Sequence, residues 1–441
     1  MPNRWTVSAV ILSAVCVTVG GVHAADLQQS PTHRVDAPVT PVPASLRRQV
    51  AADPEEYLPA LVATLVQGID DPFRRTKILH DWVADNIEYD VESYLSGSTA
   101  KTSSTSVVQR YKSVCEGYSN LFQRMCELAE IQAVKIAGYG RGYRFATTGT
   151  GDVADSNHAW NAVNIRNRWY FVDTTWDAGY VEAGKFRKHF SHTYLFLAPD
   201  EFVYTHLPAD PQWQLLDSSL SERQFAELPY LKGRFFEHGL KLKTRLQRRT
   251  VVGESVIFKL RVPEDVLITA VLKDEQERSH ERATLVRRHG QDGEVLVLFP
   301  GRGEWQVHLH CKRRSDPGSF WQAAILEFVS KSGTSRTFPR TYANYLQDDG
   351  FLYGPLYLPL DTAQPKLFKV RVRNAEAIYL TGGKQWKPLT RSDEDPDLYE
   401  LTETIQAGEP VRLTVKTSAE SRPHRLLVDF TPESEKGGRS Q

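Results

Sequence analysis

The sequence predicts an α+β domain followed by two all-β sandwich domains. Between residues 53 and 128 apolar side chains recur at helical spacing, and at 158–173 the period changes to that of strands. Beyond about Lys243 helical patterning fades, and short apolar or alternating runs separated by polar turns follow in two series. Strands at such regular spacing are typical of β-sandwiches.

Three helix starts organise the first domain. Asp53 and Asp71 are each followed by a proline, the arrangement of an N-cap residue and the first helical position. A third helix begins near Cys115, ahead of apolar residues at 118, 121, 122 and 125. The sequence therefore predicts a helical layer that ends at a helix starting with a cysteine.

A hairpin follows this helical layer. The runs "HAWNAVNI" and "RWYFVDTTW" are separated by Arg166 and Asn167, which predicts two strands joined by a two-residue turn. Counting outward from this turn places Trp160 opposite Asp173. His158 is then the diagonal neighbour of Asp173 on the same face, within reach of a hydrogen bond.

The N-terminal residues predict export. Arg4 precedes an apolar stretch from Trp5 to Val22, and a V-H-A site ends at Ala24, as in a secretory signal peptide. An uncleaved membrane anchor is the alternative, since the stretch is only just long enough to span a bilayer. No later segment has this length and polarity, so we expect no membrane span in the mature chain and a periplasmic or extracellular location.

The charge balance excludes one class of partner. The chain of 441 residues has 54 basic and 54 acidic side chains, and binding to nucleic acid requires a concentrated basic patch. We therefore expect no nucleic-acid partner, and the sequence gives no indication of oligomeric state. The expected division of the chain is a signal peptide (1–24), a flexible linker (25–50), an α+β domain (51–243), two sandwiches (244–335 and 336–433) and a disordered tail (434–441).

Cysteine usage singles out one thiol. Without the signal peptide three cysteines remain, Cys115, Cys126 and Cys311, so at least one is unpaired within the monomer. Cys115 and Cys126 are eleven residues apart on one predicted helix, or roughly 16 Å, too far for a disulfide. Cys126 and Cys311 lie in apolar runs and are expected to be buried. Cys115 is the thiol that requires another explanation.

Cys115, His158 and Asp173 together have the chemistry of a catalytic triad. The positive end of a helix dipole and an adjacent imidazolium both stabilise a thiolate, and a carboxylate orients the ring. Each residue alone has an ordinary structural interpretation: a cysteine at a helix start, a packed histidine, an aspartate that caps a turn. Asp177 is an alternative to Asp173 for any role of a carboxylate at this site.

Three sequence blocks resemble the transglutaminase-like superfamily. "SVCEGYSNLFQRMCELAEI", "NHAWNAVNI" and "RWYFVDTTWDAG" match its Cys, His and Asp blocks at Cys115, His158 and Asp173. "HDWVADNIEYD" is similar to the helix before the nucleophile, and "LPYLKGRFFEHGLKL" resembles the segment after the core in kyphoscoliosis-type peptidases. The resemblance covers about residues 53–243, and the later β domains also fit the additional sandwich-like, immunoglobulin-like domains of those proteins.

This resemblance implies a papain-like α+β core and a thioester acyl-enzyme. Cys115 would attack a carboxamide or peptide carbonyl, His158 would transfer protons and Asp173 would hold the ring. The oxyanion would be met by the Cys115 amide and a second donor, for which Gln109 is the candidate because it lies six residues before the nucleophile; the alternative is an ordinary loop glutamine. Trp160, Trp169 and Trp176 are expected to pack the hairpin against the helix.

The function expected from these residues is that of an exported thiol hydrolase acting on protein or peptide substrates. A protein-glutamine transglutaminase and an inactive binding or scaffold protein with the same fold are the alternatives. No cofactor is expected. No metal site is expected either, because His192 and His206 lack cysteine or acidic companions at ligand spacing.

Overall fold

The structure, a computed structural model, describes residues 42–96, 101–142, 156–382, 385–406, 408–416 and 424–432. The expected signal peptide, most of the expected linker and the expected tail lie outside these ranges. Across the described residues no helix combines the length and the apolar character needed to cross a membrane.

The helices are short and concentrated in the N-terminal half of the chain. In the described residues they are α1 (Ala44–Ala52), α2 (Pro54–Val66), α3 (Pro72–Asn86), α4 (Val91–Ser96), α5 (Ser104–Arg110), α6 (Cys115–Leu128), α7 (Thr174–Ala178), α8 (Pro199–Phe202), α9 (Glu222–Ala226), α10 (Gly233–Glu237) and α11 (Ala343–Gln347). A 3-10 turn covers Pro211–Gln214.

The three predicted helix starts are confirmed. The Asp53 carboxylate accepts from the Glu56 amide at 3.2 Å at the start of α2, and Asp71 does the same for α3. The third helix, α6, begins at Cys115 itself. The linker prediction is wrong at its end, because Ala44–Ala52 form a helix whose Val50 is buried in the helical core.

The first domain has a four-stranded antiparallel sheet in the order β5-β4-β3-β8. Small two-stranded sheets flank it. The strands of this part of the chain are β1 (Glu88–Tyr89), β2 (Lys112–Ser113), β3 (Gln132–Gly140), β4 (His158–Ile165), β5 (Arg168–Val172), β6 (Gly179–Glu182), β7 (Lys185–Lys188) and β8 (His206–Pro208). Helix α6 packs on β3 and β4, so one layer of helices covers the sheet.

The hairpin between β4 and β5 has the predicted register. Arg166 and Asn167 occupy the two turn positions with φ of 54° and 62°, the left-handed values that a two-residue hairpin turn requires. Pairing runs from Ile165 opposite Arg168 to Asn161 opposite Val172. The turn therefore fixes which residues come together at the far end of the two strands.

Two β-sandwiches follow, as predicted. The first combines the sheets β10-β12-β16-β15 and β11-β18-β17-β13-β14. Its strands are β9 (Tyr230–Leu231), β10 (Lys241–Leu242), β11 (Arg249–Val252), β12 (Ser255–Arg261), β13 (Val266–Lys273), β14 (Ser279–His280), β15 (Thr284–His289), β16 (Asp292–Leu298), β17 (Gly303–Arg313) and β18 (Trp321–Ser330). Strands β9 and β10 pair with β18 and β12, so this sandwich begins earlier than the expected boundary at residue 244.

The second sandwich combines the sheets β19-β27-β26-β22-β23 and β20-β21-β25-β24. Its strands are β19 (Arg340–Thr341), β20 (Phe351–Gly354), β21 (Lys366–Arg371), β22 (Ala377–Gly382), β23 (Gln385–Pro388), β24 (Thr390–Arg391), β25 (Leu398–Glu403), β26 (Val411–Lys416) and β27 (Arg425–Asp429).

The first domain and the first sandwich share a hydrophobic core. Trp160 and Phe171 of the four-stranded sheet belong to the same buried cluster as Phe258 and Phe328 of the sandwich. The other side of the sheet packs against the helices, with Val163 in a separate cluster. The sandwich is thus fixed against the sheet that carries the candidate catalytic residues.

Candidate active site

Cys115 is the first residue of α6 and is only half-buried. The N-cap residue Val114 provides no side-chain hydrogen bond, so the backbone amides of this first turn are not capped by a side chain. The other two described cysteines are buried, as predicted, and the three thiols are free. Cys115 is therefore the most exposed of the three described thiols.

His158 and Asp173 are brought together at the open end of the hairpin. His158 Nε2 lies 2.7 Å from Asp173 Oδ2, and both side chains are buried. Because Asp173 occupies Nε2, Nδ1 is the ring nitrogen left to face Cys115, which lies close enough to contribute to the raised pKa of His158. The structure thus places the three predicted residues in one cluster, with His158 between Cys115 and Asp173.

The charges in this cluster favour an imidazolium. Burial alone would lower the pKa of His158, but the charge and hydrogen bond of Asp173, with a further contribution from Cys115, raise it to about 10. Burial would raise the pKa of Asp173, yet His158 and His206 hold it well below its usual range. At neutral pH the pair is therefore an ion pair, the state that stabilises an adjacent thiolate.

Asp173 has a second role that its position after β5 allows. Its Oδ1 accepts from the amides of Thr175 and Trp176 at 2.9 and 3.1 Å, so the side chain also caps α7. The structural interpretation and the catalytic one are therefore compatible. The cap fixes the carboxylate and leaves Oδ2 facing the histidines.

His206 is a site residue that the sequence did not reveal. Its Nε2 lies 3.1 Å from Asp173 Oδ2, and its Nδ1 lies 2.9 Å from the Thr205 hydroxyl. Burial lowers the pKa of His206 to about 4, so its ring is neutral, with Nε2–H donating to Asp173. The expectation that His206 lacks an acidic companion is wrong. Asp173 is distant from His206 in the sequence, but the pairing of β8 with β3 brings the two side chains together beside the triad.

Asp177, a residue of α7, belongs to a different cluster, which includes His80 of α3. Its Oδ2 lies 3.1 Å from His80 Nε2 and 3.0 Å from the Tyr194 amide, and the Ser191 hydroxyl donates to Oδ1. His80 Nδ1 lies 2.9 Å from Asp81. The structure thus separates the two competing aspartates: Asp173 faces the triad, and Asp177 joins α7 to α3.

Two groups in the described residues bring three ligand-type side chains together: His80, Asp81 and His192, and His158, Asp173 and His206. In both groups the same atoms already form His–carboxylate hydrogen bonds. Both nitrogens of His80 face carboxylates, which together raise its pKa to about 9 against the opposing effect of burial. A doubly protonated ring has no lone pair for a metal, so these donor sets suit hydrogen bonding better than metal binding.

A cleft of about 420 Å³ opens beside His158. One wall is Trp176, whose ring stacks on His158 with centroids 5.0 Å apart; the far side includes Tyr230 and Lys232, next to the first sandwich. The three tryptophans were expected to pack the hairpin against the helix. They instead pack in or against the cluster shared with the sandwich, and Trp176 also borders the cleft.

Tyr89 was also not singled out by the sequence. It lies in β1, opposite Ser113 of β2, and it lines the cleft. Burial and the nearby Cys115 raise the pKa of Tyr89 well above its usual range, so its hydroxyl keeps its proton. Tyr89 therefore presents a hydrogen-bond donor at the edge of the site.

The structure does not support Gln109 as the oxyanion donor. Gln109 is exposed near the end of α5, and it is not among the described residues that line the cleft beside His158. The spacing of six residues between Gln109 and Cys115 would indicate an oxyanion donor only if a loop joined the two residues. Here the end of α5, whose C-cap residue Tyr111 is in the left-handed conformation, and strand β2 separate Gln109 from Cys115.

The fold and the site define a transglutaminase-like core followed by an immunoglobulin-like domain. Residues 59–174 match the family model of the transglutaminase-like superfamily, and residues 222–339 match that of the KY-like, immunoglobulin-like domain. The resemblance inferred from the three sequence blocks is therefore confirmed.

Kyphoscoliosis peptidases are among the relatives of this chain. The protein from Mus musculus is 32% identical over 277 residues, or 62% of this chain and 40% of that protein. The Homo sapiens protein is 31% identical over 279 residues, with the same two shares of 62% and 40%. Hillarin of Drosophila melanogaster is 25% identical over 239 residues, 47% of this chain and 28% of that protein. The chain thus spans well under half the length of these relatives.

Proposed function

We propose that this protein is a thiol hydrolase that cleaves amide bonds in protein or peptide substrates, exported as its N-terminal sequence predicts. The observation that carries the proposal is the 2.7 Å contact between His158 and Asp173 beside the half-buried Cys115 at the start of α6. The similarity to proteins named kyphoscoliosis peptidase supports a peptidase over other uses of this fold.

The proposed reaction has two balanced steps. The Cys115 thiolate attacks the carbonyl carbon, the C–N bond breaks, and the His158 imidazolium gives its proton to the leaving amine. Water then attacks the thioester, His158 takes a proton from it, and the thiolate leaves with release of the acid. Asp173 holds the ring throughout and stabilises its protonated form.

The first test is alkylation of Cys115 by limiting iodoacetamide, followed by intact mass across pH. Rapid single modification near pH 6, slowed by His158→Ala and absent in Cys115→Ala, is the expected result. Cys126 and Cys311 are buried and serve as internal controls. A Cys115 that reacts no faster than a free cysteine, whose pKa is near about 8.5, would favour a binding or scaffold role.

The second test separates hydrolysis from transamidation. A peptide library is incubated with the wild-type protein, with and without a primary amine, and products are identified by mass. Hydrolysed products that depend on Cys115 support the proposal. Amine incorporation into glutamine side chains without hydrolysis would instead identify a transglutaminase, because an amine rather than water would then resolve the thioester.

A further inference from the structure

Lys232 brings a cationic side chain to the cleft beside His158. It directly follows β9, whose Tyr230 and Leu231 pair with β18 of the first sandwich. The Lys232 amide donates to the Ala323 carbonyl at 2.8 Å. The sandwich therefore fixes the position of this lysine, although the cleft belongs to the catalytic core.

The Lys232 ammonium has no carboxylate within ion-pair distance among the described residues. Its Nζ donates to Oε1 of Gln322, a neutral amide, and lies 5.8 Å from the Tyr230 ring centroid. Burial lowers the pKa of Lys232. A half-buried ammonium without a counter-charge is unfavourable, and an anion bound in the cleft would relieve that cost.

Uncharged groups hold the lysine in place. Gln322 Nε2 donates to His308 Nδ1 at 2.9 Å, and His308 Nε2–H donates to Gln306 at 3.0 Å. Burial lowers the pKa of His308 to about 4, so this histidine is neutral at physiological pH. The network orients Lys232 but contributes no negative charge.

The described lining of the cleft adds no acidic side chain, and the charge of His158 is balanced by Asp173. That lining includes Arg141, His158 and Lys232 but neither aspartate nor glutamate. The Arg141 guanidinium donates to the main-chain carbonyls of Phe225 and Leu228 and is buried. Lys232 is thus the cleft cation best placed to meet a ligand.

We propose that Lys232 forms a subsite for a carboxylate of the peptide substrate, so that this chain acts on peptides with a carboxylate near the scissile bond. The carboxylate is either an acidic side chain or a free C-terminus. This substrate class rests on the proposed function, because the cleft that Lys232 lines is also lined by His158, the residue proposed to act with Cys115.

The test uses three chloroacetyl probes that alkylate Cys115 and differ only in their carboxylates. N-chloroacetyl-glutamate α-amide carries a side-chain carboxylate, N-chloroacetyl-glutamine carries a free α-carboxylate, and N-chloroacetyl-glutamine α-amide is neutral. Each is used with and without one glycine spacer, and rates are followed by intact mass. Lys232→Met removes the charge, Lys232→Arg keeps it, and Lys331→Met removes an exposed lysine at the end of β18 as a matched control.

At least one anionic probe is expected to react about tenfold faster than the neutral one, the factor of a charge-assisted hydrogen bond. Lys232→Met should abolish this ratio, whereas Lys232→Arg and Lys331→Met should retain it. Lys232→Gln replaces Lys232→Met if the latter unfolds. The anionic probe that reacts faster than the neutral one shows whether the subsite binds a side-chain carboxylate or a free C-terminal carboxylate.

Equal rates for all probes, or a preference that survives loss of the Lys232 charge, would overturn the subsite. Iodoacetamide, which is neutral and small, gives the intrinsic alkylation rate of Cys115 in each variant, and the probe rates are divided by this rate. A wild-type Cys115 that is no more reactive than an ordinary thiol would instead overturn the proposed function. The ratio between probes is still measurable on a slow thiol, so the two proposals fail separately.

Discussion

His206 donates a hydrogen bond to Asp173 at 3.1 Å, on the same Oδ2 atom that accepts from His158 at 2.7 Å. One carboxylate oxygen is thus held by two rings of different charge. His158 has a raised pKa and His206 a lowered one. The neutral ring fixes the carboxylate, and the charged ring is the one that can exchange a proton with Cys115.

The first prediction concerns His206→Phe. Phenylalanine keeps the stacking on Phe202, whose ring centroid is 4.0 Å away, but removes the donor to Asp173. We expect a loss of about 1.5–3 kcal/mol in the free energy of unfolding at pH 7, as for hydrogen bonds to charged groups. The measurement is urea denaturation.

The pH dependence of this loss has a defined sign. Burial lowers the pKa of His206 from 6.5 to about 4, so its contribution is fully present above pH 6.5 and declines as the pH falls towards 4. The difference between wild type and His206→Phe should therefore shrink on acidification. A difference that grows between pH 6.5 and 4 would mean that His206 is protonated in the folded protein.

The second prediction concerns His80→Gln, for which the sign is opposite. His80 is buried between Asp81 and Asp177, and its pKa is raised from 6.5 to about 9. Its stabilisation is fully present below pH 6.5 and is lost as the pH rises through 9. Removing one member of a buried ion pair costs about 3–5 kcal/mol, so we expect that loss at pH 6 and a smaller one at pH 9.5.

Denaturation of wild type and His80→Gln at pH 6, 8 and 9.5 checks this prediction. A cost that is constant across this range would show that His80 is neutral when folded. His206→Phe is the matched control in the same experiment, because its cost should not decline at alkaline pH.

The sequence was sufficient to predict the triad because the β4–β5 hairpin and the start of α6 each depend on residues that are close together in the chain. The two-residue turn at Arg166 and Asn167 fixes the register, so counting along two strands was enough to bring His158 to Asp173. The start of α6 at Cys115 followed from helical periodicity. A short turn and a helix start are properties of neighbouring residues, and the sequence displays them directly.

The contacts that the sequence did not reveal join distant segments. His206 lies 33 residues from Asp173, and His80 lies 97 residues from Asp177. No periodic pattern links such positions, since their meeting depends on how β8 pairs with β3 and how α3 packs on α7. The sequence did offer two candidate carboxylates, Asp173 and Asp177. That choice was the available indication that the second carboxylate also has a partner.

The third prediction concerns the ion-pair cluster between the sandwiches. Asp349 is nearly buried and lies 3.5 Å from Arg288 Nε and 3.3 Å from Arg373 Nε, and it also pairs with Arg314. Arg288 and Arg314 belong to the first sandwich, whereas Asp349 and Arg373 belong to the second. Asp349→Asn should cost about 3–5 kcal/mol, because it leaves these guanidinium groups without their carboxylate.

Asparagine is a suitable replacement because Asp349 has a φ of 51°, and asparagine tolerates the left-handed conformation. The measurement is the urea midpoint of the full chain. Asp361→Asn is the control, since Asp361 is exposed and pairs only with Lys366 among charged groups of the described chain. Equal midpoints for the two variants would contradict a role for Asp349 in holding the sandwiches together.

The fourth prediction concerns Gly117, two residues after Cys115 in α6. A Cβ atom at this position would lie 2.1 Å from Ser113 Oγ and 2.8 Å from Val107 Cγ2. Both neighbours are buried, so Gly117→Ala must displace the start of α6 from β2 and α5. Overpacking of this kind costs about 1–3 kcal/mol, and the shift should move Cys115 away from His158.

We therefore expect Gly117→Ala to lower both the thermal midpoint and the rate of iodoacetamide alkylation at pH 6. Arg124→Ala, at an exposed position of the same helix, should change neither by a comparable amount. Alkylation must be measured well below the melting temperature, so that exposure of Cys115 by unfolding does not raise the rate. A destabilised Gly117→Ala that still reacts at the wild-type rate would show that Cys115 does not depend on its distance from His158, and it would remove the geometric basis for an activated thiolate.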